Sequence, residues 1–298
     1  MADYSTYDGP SLEWQDFVKS TTLNATGLAP GQSITDLQHK TNSSRDAESA
    51  KYLAESGIQD KVSFKDHQIQ TQDGQHIVAR VYRPKNVQTD VRLPVYLFFH
   101  GGGFLFGTLS SEDANCQRLV VALPIIVVNV CYRHTPQFKH PTQANDAWDA
   151  FSWVLDHFDT IGGDRDKLII GGISAGGSLA ASVVVKENRT SKSESRIKGQ
   201  ILCIPQLFHP NGFPFHLVAS RENCSWSRHV NAPIIPRAQL DLFRDLLGAD
   251  DIGDTSLYIG NCTDADVVGM PKTTIIVAGM DPLRDEGLLY AEKLRRNK

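Results

Sequence analysis

The sequence predicts an α/β fold built on a mostly parallel sheet. Short apolar runs recur along the chain, as expected for strands that are buried on both faces. Residues with helical spacing lie between most of these runs. With 298 residues, 41% of them hydrophobic, the chain can bury an ample core. The apolar runs cover 93–99, 125–130, 168–171, 199–204 and 273–278.

The polar N-terminal segment, residues 1–60, is expected to form a helical arm over the functional site. It is rich in Ser, Thr and Asn, yet it contains an apolar face at helical spacing and a second helical stretch at 47–53. Residues 61–298 then form the main domain. The apolar face consists of Leu12, Trp14, Phe17 and Val18.

Further elements can be predicted within the main domain. The alternating run at 76–82 predicts a strand that ends before Pro84. The segment 208–262 contains several prolines around short apolar stretches, followed by one helical face. Apolar residues three and four positions apart predict another helix, and these are Ala144, Trp148, Phe151 and Leu155.

Two of the predicted strands lead directly into glycine-rich motifs. The strand at 93–99 is followed by His100 and the glycines Gly101, Gly102 and Gly103. Glycines expose backbone N–H groups without side chains in the way, which suits a loop that stabilises an oxyanion. The second motif, Gly172-Ile173-Ser174-Ala175-Gly176, follows the strand at 168–171.

The second motif has the form G-x-S-x-G of a nucleophile elbow. Its small residues allow a sharp strand-to-helix turn that exposes the Ser174 hydroxyl, and an apolar helical run follows it. We expect Ser174 to be a nucleophile, with the N–H of Ala175 joining the glycine loop as an oxyanion donor. The alternative is a glycine-rich helix start with a capping serine. Phosphate binding is disfavoured, because neither G-x-G-x-x-G nor a P-loop motif is present.

These motifs resemble those of the hormone-sensitive-lipase-like branch of the α/β-hydrolase family, a group of carboxylesterases. The resemblance implies a catalytic domain over residues 61–298, with a helical cap formed by the arm and segment 208–262. It also implies hydrolysis of small to medium esters through an acyl-serine intermediate, with no cofactor. The other matching residues are Tyr132-Arg133, Pro136, His140-Pro141, Asp146-Ala147-Trp148, Gly162-Gly163-Asp164 and the segment 281–287.

The segment 281–287 matches the acid-bearing loop of the family, so the resemblance implies Asp281 as the carboxylate of a catalytic triad. The family presents its triad in the order serine, acid, histidine. No histidine follows Asp281, and the 17 residues after it predict an amphipathic helix. We therefore expect the strand and histidine-bearing loop that the resemblance implies to be missing from this sequence.

Three explanations for the missing histidine are open. The sequence or gene model is shortened, the natural product has lost catalysis, or a histidine is recruited from elsewhere. All ten histidines precede Asp281, and each has an ordinary structural explanation, so none is assigned as the base. His100 is expected to brace its glycine loop. The others are His39, His67, His76, His134, His140, His157, His209, His216 and His229.

The substrate pocket is less well defined by the sequence. Phe104 and Phe208 are candidates to line it, with plain core packing as the alternative. A different class of function is also open: a small-molecule-binding protein on the hydrolase scaffold, as in the plant gibberellin receptors, which resemble the same family and lack the triad histidine.

Composition excludes other classes of function. A net charge of −4 and a pI near 6.2 give no reason to expect nucleic acid or an anionic membrane as a partner. The N-terminus does not have the pattern of a secretory signal, so we expect a cytoplasmic protein. The five cysteines have no metal-binding spacing, and no metal is predicted. Nothing in the sequence specifies an oligomeric state.

Overall fold

A computed structural model describes residues 1–21, 28, 31–191 and 195–297. Within these residues, seven strands form one sheet. The strands are β1 (Val62–Gln70), β2 (His76–Pro84), β3 (Leu93–Phe99), β4 (Ile126–Cys131), β5 (Gly163–Ile173), β6 (Ile197–Cys203) and β7 (Lys272–Ile276).

The strand order across the sheet is β1-β2-β4-β3-β5-β6-β7. The β1–β2 and β2–β4 pairs are antiparallel, and every other pair is parallel. This confirms the predicted α/β fold and its mostly parallel sheet. β1 is absent from the sequence-based prediction because most of its side chains are exposed, so it lacks the apolar alternation that marks a half-buried strand.

Helices connect and cover the strands. The helices of the described residues are α1 (Leu12–Ser20), α2 (Ile34–Ser56), α3 (Asp113–Ala122), α4 (Thr142–Ile161), α5 (Ala175–Thr190), α6 (Ser225–Arg228), α7 (Arg237–Leu247), α8 (Asp264–Val267) and α9 (Arg284–Arg296). None of them has the length and apolar character needed to cross a membrane.

The second helix of the arm is longer than the sequence suggested. We expected it over 47–53, whereas α2 begins at Ile34, where the Ser33 hydroxyl accepts the N–H of Asp36 at 3.1 Å. It ends at Gly57, which has a φ of 62°. The first half of α2 has only two apolar residues, Ile34 and Leu37, which are too few to form a helical periodicity in the sequence.

The core lies on both faces of the sheet. α4 and α5 pack against one face through residues such as Phe151 and Val184, which are buried in the larger apolar cluster. α3 packs against the other face, where Cys116 and Val120 meet Phe98 in a smaller cluster. Because successive strand residues face opposite sides, neighbours on one strand belong to different clusters.

The sheet brings the two glycine-rich motifs together. β3 and β5 are parallel neighbours, and Phe99 at the end of β3 pairs with Gly172 near the end of β5. The segments that follow both strands therefore leave the sheet at the same edge, side by side. This edge, at the carboxyl ends of the parallel strands, is where α/β proteins usually carry their ligand sites.

β7 is the last strand of the described sheet on one side. Its neighbour is β6, and Ile276 at its end is 50% exposed. On the α3 side of the sheet, Ile173, Ile201 and Cys203 are only partly covered and line a cavity of about 430 Å³. This face is therefore less thickly covered than the face under α4 and α5.

Candidate active site

Ser174 lies in the tight turn between β5 and α5. Its φ of 53° and ψ of −117° are unusual for a residue with a side chain, and the strained turn is the geometry that a nucleophile elbow requires. The Ser174 N–H donates to the carbonyl oxygen of Cys203 at 2.9 Å, which attaches the turn to β6. The residue is 7% exposed.

The elbow and the glycine loop are in backbone contact. A Cβ atom on Gly176 would overlap the carbonyl oxygens of Phe99 and His100, and one on Gly101 would lie 2.9 Å from the Ile173 oxygen. A Cβ on Gly172 would overlap the backbone of Gly176. Only residues without side chains allow this approach, which gives the glycines of both motifs a steric reason.

Both motifs contain backbone N–H groups without an acceptor in the described chain. Gly102 and Gly103 have φ values of 130° and 61°, and within the described chain their N–H groups donate no hydrogen bond. The Gly102 carbonyl accepts the N–H groups of Leu105 and Phe106 at 3.0 and 2.9 Å. Ala175 is the first residue of α5, where backbone N–H groups have no intrahelical acceptor. These donors are free to meet an anionic oxygen.

His100 lies beneath the glycine loop. Its Nδ1 is 3.0 Å from the Gly101 oxygen, and its ring stacks on Tyr132 with centroids 4.4 Å apart. The Tyr132 hydroxyl donates to the His100 carbonyl at 2.9 Å. Burial lowers the pKa of His100 to about 4, so the imidazole is neutral at pH 7 and can donate from Nδ1 to Gly101. This packing fits a residue that supports the loop.

Asp281 lies in the loop between β7 and α9. Its Oδ1 accepts the N–H of Leu283 at 2.8 Å. Burial raises the pKa of Asp281, while the Leu283 N–H and the nearby His229 lower it. Among the described residues, no histidine forms a hydrogen bond with Asp281.

A cavity of about 410 Å³ opens beside Asp281. One wall comes from the N-terminal arm and includes Trp14, and another comes from the segment before α7. Most of the lining is apolar, as in typical small-molecule sites. The residues around it are Gly9, Pro10, Ser11, Trp14, Ile204, Ala232, Pro233, Ile234, Ile235, Ala278, Gly279, Met280, Asp281 and Pro282.

An ion cluster around Asp8 holds the N-terminal wall in place. The Asp8 carboxylate lies 2.6 Å from His229 Nε2 and 2.8 Å from both Arg228 Nε and Arg284 Nη1. Arg284 is fully buried and also contacts Asp285 at 2.8 Å. The segment that begins at Asp8 is thereby joined to the start of α9, next to the loop that carries Asp281.

The two phenylalanines predicted to bind substrate lie elsewhere. Phe104 is 2% exposed and meets Tyr132 edge to face, with ring centroids 6.5 Å apart. Phe208 is 3% exposed and packs over Gly260. Neither lines the cavity beside Asp281, so their surroundings favour the alternative of core packing.

Sequence reasoning missed most of the cavity wall. The sequence indicates Trp14 only as part of an apolar helical face, and no local pattern places Ile204 or the segment 232–235 beside Asp281. The prolines at 233 and 236 signalled an irregular segment without revealing its position. No group of three or more His, Cys, Asp or Glu residues in the described ranges is arranged to hold a metal ion.

Most of the chain is similar to known proteins. Residues 96–298 match the family model described as alpha/beta hydrolase fold. The chain belongs to the α/β-hydrolase family. This confirms the family that the motif at Ser174 and the glycine loop indicated.

Curated relatives of this α/β-hydrolase chain include proteins named as esterases. Esterase LipI of Mycobacterium tuberculosis is 32% identical over 219 residues, which cover 73% of this chain and 65% of that protein. The AB hydrolase superfamily protein B1A11.02 of Schizosaccharomyces pombe is 30% identical over 256 residues, or 84% of this chain and 73% of its own length. The chain thus spans about two thirds of the length of LipI.

Solved structures agree with the family. The hyperthermophilic esterase of the archaeon Pyrobaculum calidifontis superposes with a TM-score of 0.78 at 27% identity, over 96% of this chain and 85% of that one. The thermostable carboxylesterase EstE1, from a metagenomic library, has a TM-score of 0.75 at 30% identity and covers 91% of this chain and 85% of its own. The fold of these esterases is therefore the fold of this chain.

Proposed function

We propose that this chain carries the catalytic centre of a serine carboxylesterase that hydrolyses small to medium carboxylic esters. The observation that carries the proposal is the contact between the strained turn at Ser174 and a glycine loop whose N–H groups have no acceptor in the described chain. Relatives named as esterases support it. Neither motif alone would be sufficient, because each occurs in proteins of other functions.

The proposed reaction starts at the Ser174 hydroxyl. Its oxygen attacks the ester carbonyl carbon while a base takes its proton, and the carbonyl oxygen becomes an oxyanion. The N–H groups of Ala175 and of the loop Gly101, Gly102 and Gly103 stabilise this oxyanion by preorganised hydrogen bonds. Collapse of the intermediate expels the alcohol with the proton, and water then hydrolyses the acyl-serine.

Asp281 is proposed to orient the imidazole that acts as base. A carboxylate in that role holds the ring in the correct tautomer and stabilises its positive charge. Because no imidazole in the described residues is hydrogen-bonded to Asp281, we expect slow acylation of the 1–298 chain. The oxyanion donors and substrate binding alone typically retain ~10³–10⁴-fold acceleration over water.

A second candidate is a protein that binds a small molecule without turning it over. The observation in its favour is the largely apolar cavity of about 410 Å³ beside a carboxyl group that has no histidine partner in the described chain. A ligand with an apolar body and one hydrogen-bonding group would suit this lining. In this candidate, the Asp281 carboxyl would bind the polar group of the ligand, because Gly101, Gly102 and Gly103 are not among the residues that line this cavity.

Fluorophosphonate labelling followed by intact-protein mass measurement tests the proposal. We expect one adduct per chain at Ser174, formed slowly, and hydrolysis of p-nitrophenyl butyrate that disappears in Ser174→Ala. Ser178→Ala is the matched control, because Ser178 lies one turn later in α5 and its hydroxyl bonds the Gln206 carbonyl. It should leave both the adduct and the turnover in place.

Two outcomes would contradict the esterase assignment. Full ester turnover by a folded Ser174→Ala variant would show that another group performs the reaction. A wild-type chain that binds esters, yet gives neither adduct nor turnover at high reagent concentration, would favour the binding candidate. Rapid stoichiometric labelling would instead identify a recruited histidine, which a His-to-Ala scan would locate.

A further inference from the structure

Helix α2 is attached to the molecule in an unusual way. It has 23 residues, but only Leu37, Ser49 and Leu53 are buried. A surface helix normally attaches through an apolar stripe along one side. Without such a stripe, a helix of this length needs another kind of attachment.

Polar side chains provide that attachment. They recur at intervals of three and four residues, so they share one face of the helix. All of them contact residues between Gly101 and Ala114. We call this set of polar side chains the α2 seam. Its members are Gln38, Asn42, Arg45, Asp46 and Ser49.

The individual contacts of the α2 seam are spread along the segment from Gly101 to Ala114. Gln38 Nε2 donates to the Leu105 carbonyl at 2.8 Å. Asn42 Oδ1 accepts the N–H of Gly107 at 2.8 Å. These bonds fix the backbone immediately after the glycines, at a turn where Gly107 has a φ of 125°.

The Asn42 contact reaches the oxyanion donors through His100. A Cβ atom on Gly107 would overlap the His100 ring, so the Gly107 backbone lies directly against the imidazole. His100 Nδ1 in turn lies 3.0 Å from the Gly101 oxygen. Holding Gly107 in place therefore limits how far the ring can move away from Gly101.

Arg45 reaches the same oxygen directly. Its Nη1 lies 3.5 Å from the Gly101 oxygen, a long contact, and its Nη2 forms a 2.7 Å ion pair with the buried Glu112. The ion pair fixes the guanidinium beside the loop. Two residues of the α2 seam thus act on the Gly101 carbonyl group: Arg45 by direct contact, and Asn42 through Gly107 and His100.

This carbonyl belongs to the peptide unit that contains the Gly102 N–H. In a planar trans peptide, the C=O and the N–H point in opposite directions, so fixing one fixes the other. The contacts on the Gly101 oxygen therefore aim the Gly102 N–H away from His100. An oxyanion donor contributes most when it is held in its final direction before the reaction.

We propose that Asn42 and Arg45 are positioning residues that orient the oxyanion donors through Gly107 and Gly101. The proposal rests on the proposed function, because it assigns the Gly102 N–H to the oxyanion. Neither side chain is proposed to touch the substrate. α2 thus serves as a brace for the glycine loop in addition to covering it.

Hydrogen exchange and serine labelling of Asn42→Leu together test the proposal. Leucine is similar in size but lacks the acceptor for the Gly107 N–H. We expect exchange of the amides in 101–108 to accelerate about tenfold, as for the loss of one hydrogen bond to a buried donor. The limiting rate of fluorophosphonate labelling should fall about tenfold, while the half-saturating reagent concentration stays within about twofold.

Two further variants separate positioning from general stability. Asn42→Asp keeps an oxygen acceptor and should restore slow exchange and labelling. Ser44 lies on the exposed side of α2, so Ser44→Ala should show the exchange and labelling rates of the wild type. A merely structural role would accelerate exchange in the sheet as well as in 101–108.

Unchanged exchange in 101–108 of Asn42→Leu would overturn the proposal. So would accelerated exchange with an unchanged limiting labelling rate, because the loop would then move without consequence for Ser174. Absence of labelling in the wild type contradicts the proposed function instead. In that case, the exchange measurement alone decides whether Asn42 holds the loop.

Discussion

Gly176 is the residue at which the two motifs of the candidate active site come closest, because its Cα faces the carbonyl groups of Phe99 and His100. A methyl group has no room there, and neither neighbouring backbone can move without displacing the turn at Ser174 or the glycine loop. The stability of the site therefore depends on the absence of one side chain.

We expect Gly176→Ala to lower the free energy of unfolding by roughly 1–3 kcal/mol, the usual range for overpacking a filled site. Gly199→Ala in β6 is the control, because its new Cβ would lie at least 3.5 Å from the Lys272 oxygen and the Ile169 side chain. Urea unfolding of both variants measures the difference. Equal stabilities would show that the motifs are less closely packed than described.

Residues that act through local geometry could be predicted from the sequence. Ser174 and the glycines at 101–103 stand in short motifs, because a tight turn and exposed N–H groups restrict neighbouring residue types. The cavity wall could not be predicted in this way. Trp14, Ile204 and the segment 232–235 meet only through the tertiary fold, which leaves no local pattern in the sequence.

At the scale of elements, a carboxyl group joins α9 to the segment after β6. Glu286 is 1% exposed, and its Oε2 accepts the N–H groups of Leu207 and Phe208 at 2.6 and 3.0 Å. Burial raises the pKa of Glu286 to about 8, although the two N–H groups oppose the shift. The folded protein therefore holds this carboxyl in its neutral form at neutral pH.

This shift predicts that the protein loses stability as the pH rises from about 4.5 to about 8. The folded state binds the Glu286 proton more tightly than the unfolded state, whose ordinary pKa is 4.5, so the contribution is complete below pH 4.5 and declines up to about pH 8. Glu286→Gln keeps an oxygen acceptor and cannot ionise. We expect the decline between pH 5 and pH 8.5 to be smaller by roughly 2–4 kcal/mol in this variant.

Urea unfolding at both pH values measures the effect. Glu222→Gln, at an exposed position, should keep the pH dependence of the wild type. If the Glu286→Gln variant and the wild type lose the same stability between pH 5 and pH 8.5, Glu286 is ionised in the folded protein. Groups other than the N–H groups of Leu207 and Phe208 then also stabilise its carboxylate.

Some elements were predicted better than others, for a physical reason. The apolar runs within β3, β4, β5 and β6 are largely buried, so each is visible in the sequence. The run at 273–278 was also expected to be a buried strand, but no residue of β7 is fully buried, because β7 lies at the edge of the described sheet. β1 and α2 attach through backbone pairing and polar contacts, which do not depend on hydrophobic periodicity. An element held by polar contacts can be recognised only when the segment that it contacts is known.

At the scale of the whole molecule, the sheet ends at β7 on one side of the described chain. An exposed edge strand offers unpaired N–H and C=O groups to another chain. Ile276 is half exposed at this edge, and the four residues of β7 after Lys272 are threonines and isoleucines. These are features of an edge strand that pairs with a strand of another chain.

We expect the 1–298 chain to self-associate as its concentration rises, and Ile276→Lys to reduce this, because an edge lysine opposes strand pairing. Size-exclusion chromatography with light scattering measures the mass. Val268→Lys is the control, since Val268 is 58% exposed but lies outside β7. A monodisperse wild-type monomer would show that the edge does not recruit a second chain.

The Asp8 cluster also bears on how the chain is made. Arg284, one of its partners, follows Asp8 by 276 residues. At about 5–20 residues per second, a ribosome needs roughly 14 to 55 s to proceed from one to the other. Throughout that interval, the nascent N-terminal segment has no buried arginine to bind, and the loop at 278–282 does not yet exist. The cavity beside Asp281 can thus be completed only after Arg284 has been synthesised.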